Sequence, residues 1–171
     1  MKSPATDRVI YMVTLVALVL AGISAGFFYT WSVTVMNGLN TADPPVAINA
    51  MQVVNANIRN AWFGAIFFGA PICILFASLM IASSGQRKAA VLATAAFVAA
   101  AIVVTITFTM HVPWNEGLAL VSASTERNAA AAVWQEYSSK WTIWNHVRAA
   151  MGILALVLMS LAFKSITSPA Q

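Results

Sequence analysis

Four long stretches of this chain decide what it can fold into, because they are almost empty of charge. Val9 to Met36, Asn60 to Gln86 and Ala89 to Asn115 contain no Asp, Glu, Lys or Arg, and the apolar run Ala149 to Phe163 makes a fourth. A helix rises 1.5 Å per residue, so about 20 apolar residues cross a hydrocarbon core of roughly 30 Å. The fourth run is short for this. Its helix is read as Trp141 to Phe163, with His146 and Arg148 inside the first two turns. Only 8% of the 171 residues are charged, against about a quarter in a soluble domain. So few charges cannot cover a water-facing surface, and lipid must be the main solvent. The expectation is all-α: one integral membrane domain, residues 1–171, built as a four-transmembrane-helix bundle. Its spans are expected at about 9–36, 61–84, 89–111 and 141–163, with short helices in the two outer connections.

The charges sort by side. Lys2, Arg8, Arg87, Lys88 and Lys164 fall at one end of the spans, opposed only by Asp7. Arg59, Arg127, Lys140 and Arg148 fall at the other, matched by Asp43, Glu116, Glu126 and Glu136. The net charge of +4 is thus confined to one face, which the positive-inside rule makes cytoplasmic. Both termini and the middle loop then lie in the cytoplasm, in a plasma or bacterial inner membrane. The basic balance is a topology signal, and a nucleic-acid partner is not expected. Cys73 has no partner, so there is no disulfide framework and no CxxC metal site. A cleavable leader ending near Ile23-Ser24-Ala25 is disfavoured, because the apolar run continues through Phe27, Phe28, Tyr29 and Trp31.

Within the spans, Gly22 and Gly26 form a GxxxG spacing that allows close helix approach, better suited to packing inside the bundle than to a dimer. Pro71 is expected to bend the second span or free a carbonyl. Alanine crowds the third span from Ala89 to Ala101.

The outer end carries the chemistry. Asp43-Pro44-Pro45 signals a helix start, with a capping acid and proline in the first turn. Met51, Val54, Asn55 and Ile58 then share one face at helical spacing, fitting a helix on the membrane surface or folded back over the bundle. Ser124 or Thr125 is a candidate cap for a second helix starting at Glu126 and running into span four. All six tryptophans lie at this end, either as an interfacial belt or as walls of an aromatic pocket. Arg148 precedes Lys164 by sixteen residues, roughly 24 Å of helix, which places it inside the edge of the core. It can snorkel outward or turn into the bundle, where an ionisable group marks a functional site. Tyr137, Trp141, Asn145, Arg148 and Gly152 share a face. His111, Asn115, Glu116, Asn37, Gln52, Asn55 and Asn57 converge on the same height.

Four blocks carry a family resemblance in order: Gly22-Ile23-Ser24-Ala25-Gly26-Phe27-Phe28, Ala50-Met51-Gln52-Val53-Val54-Asn55, Val112-Pro113-Trp114-Asn115 with Leu118-Ala119, and Trp141-Thr142-Ile143-Trp144-Asn145-His146-Val147-Arg148. The chain resembles the anthrone-oxygenase-like integral membrane family, which includes many domains of unknown function. It departs where the family usually has Asn in place of His111, and Pro-Gly-Leu in place of Asn37-Gly38-Leu39. The resemblance implies oxygenation of reduced aromatic polyketides such as anthrones, with no metal, flavin or other cofactor. Such chemistry needs a base, a stabiliser for a carbanion and a dry aromatic pocket. On these residues, His146 or His111 is the candidate base, Arg148 the anion stabiliser, and Asn115 with Asn145 the hydrogen-bond donors. Trp114, Trp141 and Trp144 would wall a flat substrate, with Met51, Gln52 and Asn55 beside it.

Two other readings use the same residues. One is a non-catalytic bundle that binds a lipid, quinone or hydrophobic metabolite, or serves as an accessory subunit of a membrane complex; a homo-oligomer fits either case. The other is a copper site from His111, His146, Met110, Met51 and Glu116, which lacks any HxxxH, HxH or CxxC spacing. Transport is disfavoured, since no span carries a charge near its centre.

Overall fold

A computed structural model describes residues 4–122 and 125–167. Among these residues the chain is helical throughout, with no strand. Helix α1 covers residues 4–41, α2 Pro44–Asn57, α3 Ala61–Ser83, α4 Arg87–Ala119 and α5 Arg127–Thr167. Four of these, α1, α3, α4 and α5, are long and apolar enough to cross a membrane. The chain is an integral membrane protein. The first, third and fourth apolar stretches fall inside α1, α4 and α5, which outrun them, whereas the second, Asn60 to Gln86, extends past both ends of α3.

The long helices run alternately up and down. Helix α5 packs along both α4 and α1, and α3 closes the other side of the bundle against the same two. Small residues make this close. On α4, Ala89, Ala93, Ala96 and Ala100 are buried at three- and four-residue spacing, in one core with Ala155, Met159 and Ala162 of α5. Of the glycines, Gly152 meets its neighbour most closely: an added Cβ would sit 3.3 Å from the Ala25 Cα. Gly22 of the GxxxG pair faces Leu156 of α5, whereas Gly26 faces open space. The close contact thus centres on Ala25, between the two glycines.

The two ends of the bundle differ. At the lysine end lie Arg8, Arg87, Lys88 and Lys164; Lys2 is outside the described residues. At the tryptophan end, α2 folds back over the bundle, packing on α5 and on the last turns of α4. It begins at Pro44 as the sequence suggests, but the Asp43 carboxylate makes no capping bond. It pairs instead with Arg127 at 2.8 Å, tying the start of α2 to the start of α5. In the second connection the helix expected from Glu126 starts at Arg127 and runs unbroken into its span as α5. Of its candidate caps, Ser124 lies outside the described residues, and Thr125 donates to the Ser122 carbonyl.

Three irregularities fall near one level. Pro71 has no N–H for the Phe67 carbonyl, and α3 is irregular at Phe68 (φ −91°). In α4, Thr107–His111 forms a widened π turn, with the Val112 N–H bonding the Thr107 carbonyl. Pro113 lies just beyond, and its ring would crowd the Thr109 carbonyl of a regular helix. In α1, Trp31–Val35 forms a second π turn. Such turns are frequent at functional sites.

Candidate functional site

The irregular turns surround a cavity of about 530 Å³ at the tryptophan end. Phe27, Phe28 and Trp31 of α1 form one wall, and Phe63, Phe67 and Phe68 of α3 another. Met51, Val54 and Asn55 of α2 and Ile58 just past its end also line it, so the face read from their spacing is the one turned towards the bundle. Thr107, Phe108, His111 and Asn115 come from α4, and Trp141 and Arg148 from α5.

Arg148 turns inward and is only 5% exposed. Its Nη2 donates to Asn145 Oδ1 at 2.8 Å and its Nη1 to Thr107 Oγ1 at 3.1 Å. The guanidinium lies over the Phe28 ring at 4.7 Å and the Trp141 ring at 5.2 Å. Asn145 is fully buried and fixed in turn, donating to the Phe28 carbonyl at 3.0 Å and Ser32 Oγ at 2.7 Å. Among the described residues no carboxylate pairs with Arg148. Arg59, Arg127 and Lys140, the other cations of this end, pair with Glu116, Asp43 and Glu136. The Arg148 Nε is buried without an acceptor, and so is the Asn55 Nδ2 on the cavity wall. A buried donor lacking an acceptor is costly, and a buried cation lacking an anion more so. The cavity is therefore preorganised for an electron-rich oxygen or an anion.

His111 is 1% exposed. Its Nε2 lies 3.2 Å from the Trp141 carbonyl and its Nδ1 3.5 Å from the Ile106 carbonyl. A neutral imidazole has one N–H and so donates to one of these two carbonyls. Asn115 Oδ1 accepts from Tyr137 Oη at 2.7 Å and Trp141 Nε1 at 3.1 Å. Its amide nitrogen thereby stays free to donate to a ligand.

The sequence-derived site divides at this point. Arg148, Asn145, Asn115, His111, Trp141, Met51 and Asn55 come together at or against the cavity. His146 does not: it is exposed on the far face of α5, with Nδ1 2.6 Å from the Thr142 carbonyl of its own helix. One residue along a helix is a rotation of about 100°, so His146 cannot share the face of Asn145. Trp144 is half-buried and Trp114 packs behind His111 under the Lys140 ammonium; neither lines the cavity. Gln52 donates to the Leu118 and Val121 carbonyls and pins α2 to the end of α4. Asn37 and Asn57 bond carbonyls of their own helices. The tryptophans split between the two readings: Trp31 and Trp141 wall the cavity, and Trp62 is exposed. With His146 on the far face, the ligand set of a copper site is not assembled, and no cluster of three His, Cys, Asp or Glu occurs among the described residues.

Sequence reasoning missed Thr107, Ser32 and the phenylalanine wall. Thr107 precedes His111 by four residues, and that spacing was the available signal. Ser32 and the rings are ordinary residues of apolar spans and carry no signal of their own.

The family model described as anthrone oxygenase matches residues 58–158, more than half of the chain. No curated protein and no solved structure matches. The matched stretch holds the blocks at 112–119 and 141–148, with His111, Asn115, Asn145 and Arg148; the blocks at 22–28 and 50–55 precede it. This chain belongs to the anthrone oxygenase family, as an integral membrane protein.

Proposed function

We propose that the chain is an oxygenase that works without metal or flavin, converting an anthrone-like aromatic ketone to its quinone in the cavity at the tryptophan end. The observation that carries this reading is Arg148, a buried cation with no carboxylate partner, facing a cavity walled by aromatic rings. Loss of a proton from the methylene carbon gives a carbanion whose charge is delocalised onto the ketone oxygen. The Arg148 guanidinium, with the Asn55 and Asn115 amides, stabilises that oxyanion where water is excluded. The electron-rich carbon reacts with dioxygen to give a hydroperoxide. Loss of water from it leaves the second carbonyl, so one substrate and one O₂ yield one quinone and one H₂O. Of the two histidines only His111 lines the cavity, which makes it the candidate proton acceptor of the pair. The charge asymmetry supports an orientation with the cavity at the outer side and both termini in the cytoplasm.

The test is oxygen uptake by membranes holding the protein and supplied with an anthrone. Wild type is expected to exceed the spontaneous rate, and His146→Ala to match wild type. Arg148→Ala is expected to lose about 10²–10³-fold, the cost of one oxyanion donor. His111→Ala should lose about 10²-fold or more, the worth of a general base. Uptake no faster than with empty membranes, while the anthrone still binds, would replace the oxygenase by a binding protein for flat hydrophobic molecules.

A further inference from the structure

The cavity has a window between α3 and α4. The segment Gly69–Ser83 packs closely along α4, whereas the preceding turns, Ala61–Phe67, approach α1 and make no comparable contact with α4. The two helices are antiparallel, so their facing residues step outward together by four. Phe68 and Phe108 stack at 6.2 Å and form the sill. One turn outward come Gly64 and Val112, and one turn further Asn60 and Glu116, all lining the cavity. The Arg59–Glu116 pair at 3.4 Å spans the top. A Cβ at Gly64 would meet nothing within 4 Å. Between an aromatic sill and an ionic lintel, the wall is open.

Depth gives the opening its meaning. Phe68 stands fifteen residues before Ser83 and Gly64 nineteen, roughly 22 and 29 Å along the helix, against a hydrocarbon core of about 30 Å. Phe68 and Phe108 are both about half exposed, towards what is lipid at this level. On the water side, by contrast, α2 lies over the cavity and is held there by Gln52. We propose that the ligand enters and leaves sideways, from the bilayer leaflet at the tryptophan end, through the window between Gly64 and Val112. The ligand would be a flat, lipid-dissolved aromatic, never fully released to water. This rests on the cavity being a ligand site, as in the oxygenase reading, but not on catalysis.

A partly closed doorway slows passage in both directions and leaves the equilibrium alone, whereas a filled pocket weakens binding. The probe is anthraquinone, which quenches indole fluorescence, with Trp31 and Trp141 in the cavity wall as reporters. The protein is held in phospholipid vesicles; capture is followed by rapid mixing, and release by transfer to excess empty vesicles. Gly64→Leu is expected to slow capture and release alike by about fivefold or more. Val112→Phe, from the opposite jamb, should do the same if Gly64→Leu does not fold. Unchanged rates in the variants, a weakened affinity with unchanged release, or no quenching of wild type would each overturn the proposal. Capture with the expected rates but no oxygen uptake with an anthrone would sink the oxygenase alone; uptake with unchanged rates in both variants would sink the window alone.

Discussion

Arg148 is held in place at some cost, and that cost separates function from stability. Its guanidinium bonds to Asn145, which is locked by Phe28 and Ser32 on the facing helix. Replacing Asn145 by Leu removes the acceptor and strands a buried cation, which is expected to destabilise the protein by about 2–4 kcal/mol. Arg148→Met removes the charge and fills the space with a flexible apolar chain, a change often neutral or stabilising for a buried ion. The double variant Asn145→Leu/Arg148→Met should then be more stable than Asn145→Leu alone, while every variant lacking Arg148 loses oxygen uptake. Thermal unfolding in detergent measures the first, and anthrone-dependent uptake the second. A double variant no more stable than the single would mean that Asn145 acts through α1 and not through the arginine. The sequence told much of this. Spacing alone puts Tyr137, Trp141, Asn145, Arg148 and Gly152 on one face, and all five are buried. His146 has the chemistry of a base, but its position one step from Asn145 excludes it from that face.

The helices meet where side chains are small, and the geometry of the site depends on that contact. Gly152 lies one turn beyond Arg148 and against Ala25 of α1, one turn before Phe28, the ring beneath the guanidinium. A bulkier residue at Gly152 pushes α1 away from α5 and lifts that ring. Gly152→Val is expected to destabilise by about 1–3 kcal/mol, as overpacking does, and to lower ligand affinity as well. Gly152→Ala, whose Cβ needs only a few tenths of an ångström, should cost less. Gly26→Ala should be near neutral, since nothing lies within 4 Å of its Cβ. Unfolding midpoints for the three would be ordered accordingly; equal losses at Gly26 and Gly152 would place a helix contact at Gly26 that this packing does not have. Spacing found Gly22 and Gly26, but it could not say which small residue meets which. That depends on how far each helix is rotated, and the π turns at Trp31–Val35 and Thr107–His111 change the rotation partway along. The α4 turn has a sequence cause in Pro113; the α1 turn has none that we can name.

At the scale of the molecule, hydropathy set the four helices, because the bilayer leaves a chain so poor in charge no other way to satisfy its backbone. The lid and the cavity were less legible. The spacing of Met51, Val54, Asn55 and Ile58 defined a face without saying what it covers, and the phenylalanine wall is built from residues that any span might contain. What remains to be fixed is which way up the bundle stands. Arg8, Arg87, Lys88 and Lys164 lie at the end away from the cavity, where Asp7 is the one acidic side chain among the described residues, whereas Arg59, Arg127 and Lys140 share the cavity end with carboxylates in equal or greater number. By the positive-inside rule the cavity is expected to face outward. In a Cys73→Ser background, Leu120→Cys places a thiol at a position 87% exposed at the tryptophan end. Gln86→Cys places one in the turn before α4 at the other end. A membrane-impermeant maleimide is expected to label Leu120→Cys in intact cells and Gln86→Cys only after permeabilisation. The opposite pattern would put the cavity on the cytoplasmic side, and the ligand would then be drawn from the inner leaflet through the same window.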